Sequence, residues 1–135
     1  MIVIQIRRYV CRSCKAILMV VPRGIARCKH YAATAIAFAL GLFGLDGWPQ
    51  SAVRQAISSW RITSGQNHST WVTLRRWIAA VADGALWPSL PRVDSSSPAR
   101  QVAERAAMAL SAMAPLPLQS LPMSHRAFHG GAHMA

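Results

Sequence analysis

The chain has 135 residues, of which 15 are basic and 4 acidic, and its formal net charge at pH 7 is +11. This length accommodates one small domain and a tail, and the basic excess favours a polyanionic partner such as nucleic acid. The 3 cysteines do not make the disulfide framework of a small secreted protein. The longest mainly apolar run, residues 32–45, is shorter than the roughly 20 residues of a membrane-spanning helix. We therefore expect a cytoplasmic protein with no membrane partner. Its positive charge is concentrated in residues 1–87, which hold 11 of the basic and 2 of the acidic side chains.

The first predicted element is a β-hairpin with a cysteine pair at its tip. Residues 2–10 alternate and are rich in β-branched side chains, which is typical of a strand. Cys11 and Cys14 lie in the following turn, and residues 15–21 are apolar enough to form a second strand before Pro22. A two-stranded hairpin is only marginally stable alone, so we expect it to pack on another element.

Three helices are predicted after the hairpin. Residues 29–43 repeat apolar side chains at spacings of three and four, and a second helix follows from Trp48 to about residue 60, with Pro49 in its first turn. A third helix begins at Asn67 or Ser69 and runs to residue 82. The tryptophans of the third helix share its apolar stripe, so core packing is favoured over base stacking for them.

The last third of the chain carries weaker signals. Residues 86–91 and 95–98 are predicted to form a linker, and residues 98–113 a weak, loosely docked helix. Residues 114–135 contain three prolines and the pair Gly130-Gly131, which favours a disordered tail. His125, His129 and His133 would share one helical face, but the glycine pair argues against a helix there. The predicted division is therefore a hairpin over 1–27, a helical domain over 28–87 and a tail over 88–135.

These elements resemble the front end of bacterial transposases, where a zinc ribbon precedes a helix-turn-helix, and an uncharacterised bacterial domain family of the same plan more closely. The resemblance covers residues 1–87 and is carried by the basic strand with its Cys-x-x-Cys, Pro22, the basic segment ending in Tyr31 and the three helices. It implies a mainly α fold: a short N-terminal β-hairpin (half a zinc ribbon), a three-helix, helix-turn-helix-like core and a partly disordered C-terminal tail. The first Cys-x-x-Cys of a ribbon and the acidic catalytic domain are both absent, so we expect an N-terminally truncated relative.

The same resemblance makes residues 69–81 the recognition helix. Short polar side chains and arginines there can reach phosphates and base edges, although a solvated arginine face is the ordinary alternative. Binding to duplex DNA would rest mainly on contacts between arginine and phosphate. The predicted DNA-binding residues are Arg7, Arg8, Arg54, Arg61, Ser69, Thr70, Thr73, Arg75 and Arg76.

Zinc is the one candidate cofactor, with Cys11 and Cys14 as ligands. A structural zinc site takes four ligands, and Cys28 and His30 are the further candidates within the chain. A metal-free hairpin with residual cysteines is at least as well supported, and a zinc ion shared between two chains is a third interpretation.

No catalytic set is present in the sequence. Asp46, Asp83, Asp94 and Glu104 are scattered, and no Ser/His/Asp order or phosphate-binding glycine loop occurs. We therefore expect a non-enzymatic DNA-binding module without a small-molecule substrate. The alternative is an inactive mobile-element remnant or a protein-interaction fragment, for which an uncovered hairpin edge would favour a homodimer.

Overall fold

The computed structural model describes residues 7–20, 31–58, 70–94 and 96–134. A two-stranded antiparallel hairpin comes first, followed by five α-helices, so the prediction of a mainly α fold with an N-terminal hairpin is confirmed. The elements are β1 (Arg7–Val10), β2 (Ile17–Val20), α1 (Ala33–Gly44), α2 (Gln50–Ile57), α3 (Val72–Ala82), α4 (Ala99–Ala112) and α5 (Met123–His133), with a short 3-10 turn over Leu116–Leu118.

The hairpin turns at the cysteine pair, as predicted. Tyr9 lies opposite Leu18, and Val10 lies opposite Ile17. The turn is closed by the Cys11 N–H, which donates to the Ala16 carbonyl at 2.8 Å, and by the Lys15 N–H, which donates to the Cys11 carbonyl at 3.0 Å. The predicted strand over residues 2–6 lies outside the described residues.

Helices α1 to α5 and the segments that join them form the helical body, and α1 is at its centre. Its buried side chains lie on nearly all sides of the helix, a pattern that requires neighbours all round. Helices α4 and α5 pack closely on α1 and on each other, whereas α2 and α3 make smaller contacts with α1, and α3 also contacts α4. The three-helix core is therefore α1, α4 and α5 rather than the first three helices. Among the described residues, α2 and α3 make little contact with each other, unlike the paired helices of a helix-turn-helix.

The predicted disorder of residues 114–135 is wrong over most of that segment. Helix α5 occupies residues 123–133 and buries Ser124, Ala127, Gly130 and Gly131. A Cβ atom on Gly131 would lie 2.6 Å from the Ala37 Cβ atom of α1, and one on Gly130 would collide with the Leu110 carbonyl of α4. The two glycines therefore allow α5 to approach two helices at once, and this contact outweighs their low helix propensity.

The predicted linker is also wrong, because the chain between α3 and α4 packs on the helical body. Its apolar side chains are buried: Leu86, Trp87, Leu90 and Val93. Trp87 is only 4% exposed and has a positive φ of 52°, a conformation that bulky residues rarely adopt. The loosely docked helix predicted over residues 98–113 is instead the well-packed α4, which buries Val102, Ala103, Ala106, Ala107 and Leu110.

Candidate nucleic-acid interface

The hairpin concentrates positive charge without any compensating acid. Residues 7–20 carry Arg7, Arg8, Arg12 and Lys15 and no Asp or Glu, whereas the four acidic residues of the chain all lie between residues 46 and 104. The four basic side chains are exposed, and within the described residues none of them forms a hydrogen bond or ion pair. Solvated and unpaired cations of this kind are free to contact phosphates.

The hairpin also exposes apolar side chains on both faces. Tyr9 and Leu18 are 49% and 64% exposed, and Val10 and Ile17 are 59% and 51% exposed. Alternate residues of a strand point to opposite faces, so Arg7 shares a face with Tyr9 and Arg8 shares the other with Val10. Each face therefore combines a guanidinium group with apolar surface, and Tyr9 adds an aromatic ring that can stack on a base.

Helix α3 presents the second group of predicted contacts. Leu74, Trp77, Ile78 and Val81 form its buried side, whereas Arg75 and Arg76 are exposed. Thr70 precedes the helix and is exposed, and Thr73 is half-buried in its first turn. The described helix begins at Val72 rather than at residue 69, and Trp71 occupies its N-cap without a side-chain hydrogen bond.

A hydrogen bond to α2 and a cluster of three aromatic rings fix the position at which α3 starts. The Trp71 N–H donates to the Gln50 Oε1 atom of α2 at 2.7 Å. The rings of Tyr31, Trp71 and Trp77 meet edge to face, with centroids 5.0–6.1 Å apart. Trp71 and Trp77 are buried, which confirms their predicted role in the core and leaves them unable to stack on bases.

The remaining predicted DNA-binding residues are not gathered at α3. Arg54 is half-buried in the last turn of α2, and Arg61 and Ser69 lie outside the described residues. The structure thus brings Arg7 and Arg8 together with Arg12 and Lys15 on the hairpin, and Arg75 with Arg76 on α3. Arg12 and Lys15 are not among the predicted DNA-binding residues, although their position in a basic turn without acids is a signal that points to them.

Other arginines have partners within the protein. The Arg100 Nη1 atom donates to the Phe43 carbonyl at 2.5 Å, and its guanidinium carbon lies 4.4 Å from the centroid of the Phe43 ring. The Arg126 Nη1 atom donates to the Gln119 Oε1 atom at 2.6 Å. Arg100 and Arg126 therefore stabilise the helical body through these contacts. In this they differ from the basic side chains of the hairpin, which have no partner among the described residues.

The cysteine turn holds two potential metal ligands. Cys11 is half-buried, Cys14 is exposed and both thiols are free. Backbone N–H groups of Cys14 and Ser13 donate to the Cys11 sulfur and hold the pKa of that thiol below its usual value, which favours the thiolate that binds metals. Cys28 and His30 lie outside the described residues, and the described part of the chain holds no cluster of three or more potential ligands. By number and type, the pair offers two of the four ligands that structural zinc requires.

The histidines of the C-terminal segment lie on a helix, contrary to the predicted disorder. The rings of His125 and Phe38 meet edge to face with centroids 5.1 Å apart, so α5 also contacts α1 through aromatic side chains. His129 and His133 follow at successive four-residue intervals, one helical turn apart.

Comparison with known proteins identifies no relative. No protein-family model matches the chain, and neither a curated protein nor a solved structure resembles it significantly. In the described ranges, none of the helices has the length and apolar character needed to cross a bilayer.

Proposed function

We propose that this protein is a non-enzymatic, cytoplasmic DNA-binding module whose main contact surface is the basic hairpin. The observation that carries the proposal is the set of four cations on a 14-residue ribbon without an acid, all exposed and without a side-chain partner among the described residues. The major groove of B-DNA admits a two-stranded β-ribbon, and cations on such a ribbon lie close to the phosphates on both sides of the groove. The exposed arginine pair of α3 is the second contact surface.

The helical body supports this function as a scaffold. Its described part holds seven basic and four acidic side chains, and two of the seven arginines already have partners within the protein. The hairpin therefore contributes more of the net positive charge per residue than the body does. Long-range attraction to a polyanion would consequently be strongest at the hairpin end of the chain.

Salt dependence of DNA binding tests the proposal with matched charge changes. Affinity for a 20-base-pair duplex would be measured by fluorescence anisotropy between about 50 and 200 mM salt, where several phosphate contacts produce a steep loss. Three double variants each remove two positive charges: Arg7→Gln/Arg8→Gln, Arg75→Gln/Arg76→Gln and the control Arg92→Gln/Arg105→Gln.

The hairpin variant should lower the slope of log affinity against log salt by about 2. The α3 variant should lower it by a smaller amount, and the control should leave it unchanged. Equal effects of all three variants would mean that net charge alone drives binding, and a salt-independent wild type would reject DNA as the partner.

A second candidate function is protein interaction, and the exposed apolar hairpin is the observation that favours it. Tyr9, Val10, Ile17 and Leu18 stay uncovered within the described residues, and a two-stranded sheet has two open edges for strand addition. A homodimer through these edges would grow with protein concentration in sedimentation analysis and would be lost in Leu18→Lys. It would also form without DNA, which separates it from the first function.

Zinc is proposed as a cofactor of the same turn, with Cys11 and Cys14 as two ligands. The metal content of the purified protein distinguishes the interpretations. One zinc per chain supports completion of the site by Cys28 and His30, one zinc per two chains supports a shared site, and no zinc supports the metal-free hairpin. In either zinc-bound case, Cys14→Ser should release the metal, because a structural site needs all its ligands.

A further inference from the structure

A cavity of about 330 Å³ lies between α3, α4 and the loop that joins them. Its apolar walls include Val81 of α3, Leu90 and Val93 of the loop and Ala106 of α4. This volume is at the lower end of the range of about 300–1,000 Å³ for small-molecule sites. The cavity is separate from the hairpin and from the exposed arginines of α3.

The loop that forms one wall is held in place by the helical body. Leu86, Trp87, Leu90 and Val93 are all buried in the apolar core, which fixes the loop on the helical body. The Leu86 N–H donates to the Ala80 carbonyl at 2.9 Å, and the Leu90 N–H donates to the Trp87 carbonyl at 3.0 Å. The cavity is therefore preformed, and a ligand would not have to order its wall.

Two arginines are the charged residues among the described side chains that line the cavity. Arg92 comes from the loop and Arg105 from α4. Both are exposed, and in the described part of the chain neither forms a hydrogen bond or an ion pair. The Arg92 Nε atom lies 3.7 Å from where a Cβ atom on Gly84 would be, so the guanidinium group lies beside the C-terminal end of α3.

The acidic residues nearest in sequence do not neutralise these arginines. Asp94 accepts a hydrogen bond from the Ser96 N–H at 3.0 Å within its own turn. Glu104 lies on the side of α4 whose backbone packs against Gly44 of α1, whereas Arg105, Ala106 and Ala109 line the cavity. The cavity thus combines apolar walls with uncompensated positive charge.

We propose that this cavity binds a small organic carboxylate, with its hydrocarbon part between α3 and α4 and its carboxylate at Arg92 and Arg105. Guanidinium groups bind carboxylates through paired, charge-assisted hydrogen bonds. The apolar walls exclude a strongly hydrated ligand, because polar groups buried without partners are costly. The site adds ligand binding to the proposed DNA-binding function and does not depend on it.

Isothermal titration calorimetry with a matched pair of probes tests the proposal. The full chain is titrated with 4-isopropylbenzoate and with the neutral 4-isopropylbenzamide, which has nearly the same shape. The wild type should bind the benzoate saturably and about tenfold more tightly than the benzamide, since hydrogen bonds to a charged group carry that preference. Arg92→Gln/Arg105→Gln should remove the preference and leave benzamide binding unchanged, whereas the control Arg75→Gln/Arg76→Gln should keep it.

Several outcomes would overturn the proposal: equal affinity for the two probes, a preference retained without both arginines, or no saturable binding. Phenyl phosphate is the third probe, and its tighter binding would replace the carboxylate assignment with a phosphate one. Ala109→Leu fills the cavity from α4 and should abolish binding of both benzoate and benzamide. If that variant fails to fold, the arginine variants still decide, because they change exposed side chains. DNA binding in the same samples reports independently on the hairpin.

Discussion

The hairpin and the helical body differ in how they treat apolar side chains. The body has a fully buried apolar core, in which Ile36, Leu40, Leu74 and Leu110 are all 0% exposed. The hairpin leaves apolar and basic side chains in solvent, and none of residues 7–18 is buried. The body therefore determines stability, and the hairpin is available for binding. A substitution in one region should leave the property of the other region unchanged.

The largest expected effect comes from the same substitution made in both regions. Leu40→Ala removes a fully buried side chain at the centre of α1 and should lower the free energy of unfolding by about 2–5 kcal/mol. Leu18→Ala removes a side chain that is 64% exposed on β2 and should change it by no more than about 0.5 kcal/mol. Urea denaturation followed by circular dichroism measures both. A comparable loss in Leu18→Ala would show that the hairpin packs into the cooperative unit.

The next prediction concerns the close contact between α5 and α4. Gly130→Ala should destabilise the protein by about 1–3 kcal/mol, because a Cβ atom there collides with the Leu110 carbonyl. The same change would favour an isolated helix by about 1 kcal/mol, so local propensity and tertiary contact predict opposite signs. A stabilised Gly130→Ala variant would show that α5 does not approach α4 as the structure describes.

The reverse change at an exposed helical position is the matched control for this prediction. Ala112→Gly at the end of α4 should cost up to about 1 kcal/mol through propensity alone. Thermal unfolding of the two variants compares them directly. Gly130→Ala should melt at the lower temperature, although it introduces the better helix former.

The contrast at Gly130 also shows what could be predicted from the sequence. The hairpin turn at Cys11 and Cys14, the central helix α1 and the buried tryptophans of α3 follow from local alternation and apolar spacing. The position of α5 does not, because a glycine pair lowers local helix propensity and its benefit appears only when two other helices approach it. The burial of the loop at Trp87 does not follow from the sequence either, because prolines nearby indicate a linker and the loop's burial depends on the folded helical body.

In the candidate site too, some features follow from local sequence patterns and others depend on tertiary contacts. The exposure of Arg75 and Arg76 agrees with the amphipathic pattern of α3, whereas Arg7 and Arg8 lie on opposite faces of a strand that is exposed on both. The use of Arg100 as a partner of Phe43 depends on a contact across 57 residues, which no local pattern contains. The cavity at Arg92 and Arg105 likewise arises only when the loop folds onto α4.

A smaller effect on stability should distinguish an arginine that has a partner within the protein from an exposed arginine. Arg100→Gln should lower the free energy of unfolding by about 1 kcal/mol, because the guanidinium stacks on the Phe43 ring and donates to a carbonyl at the C-terminal end of α1. Arg75→Gln removes the same charge from the exposed side of α3 and should leave stability unchanged. Denaturant midpoints distinguish the two, and equal midpoints would mean that Arg100 is as free as Arg75.

The smallest effect is a shift in the titration of the Cys11 thiol within the hairpin. The N–H groups of Cys14 and Ser13 stabilise the thiolate and lower its pKa, so the alkylation rate at Cys11 should rise at a lower pH in the folded protein than in urea. For a lowered pKa, the linked stabilisation is present above the pKa of the unfolded thiol and is lost as the pH falls through the folded value. Mass spectrometry of iodoacetamide adducts, with a chelator present to remove bound metal, reads Cys11 separately from the other cysteines. Identical pH profiles with and without urea would show that the turn does not hold those N–H groups against the sulfur, and half of the proposed metal site would then lose its preorganisation.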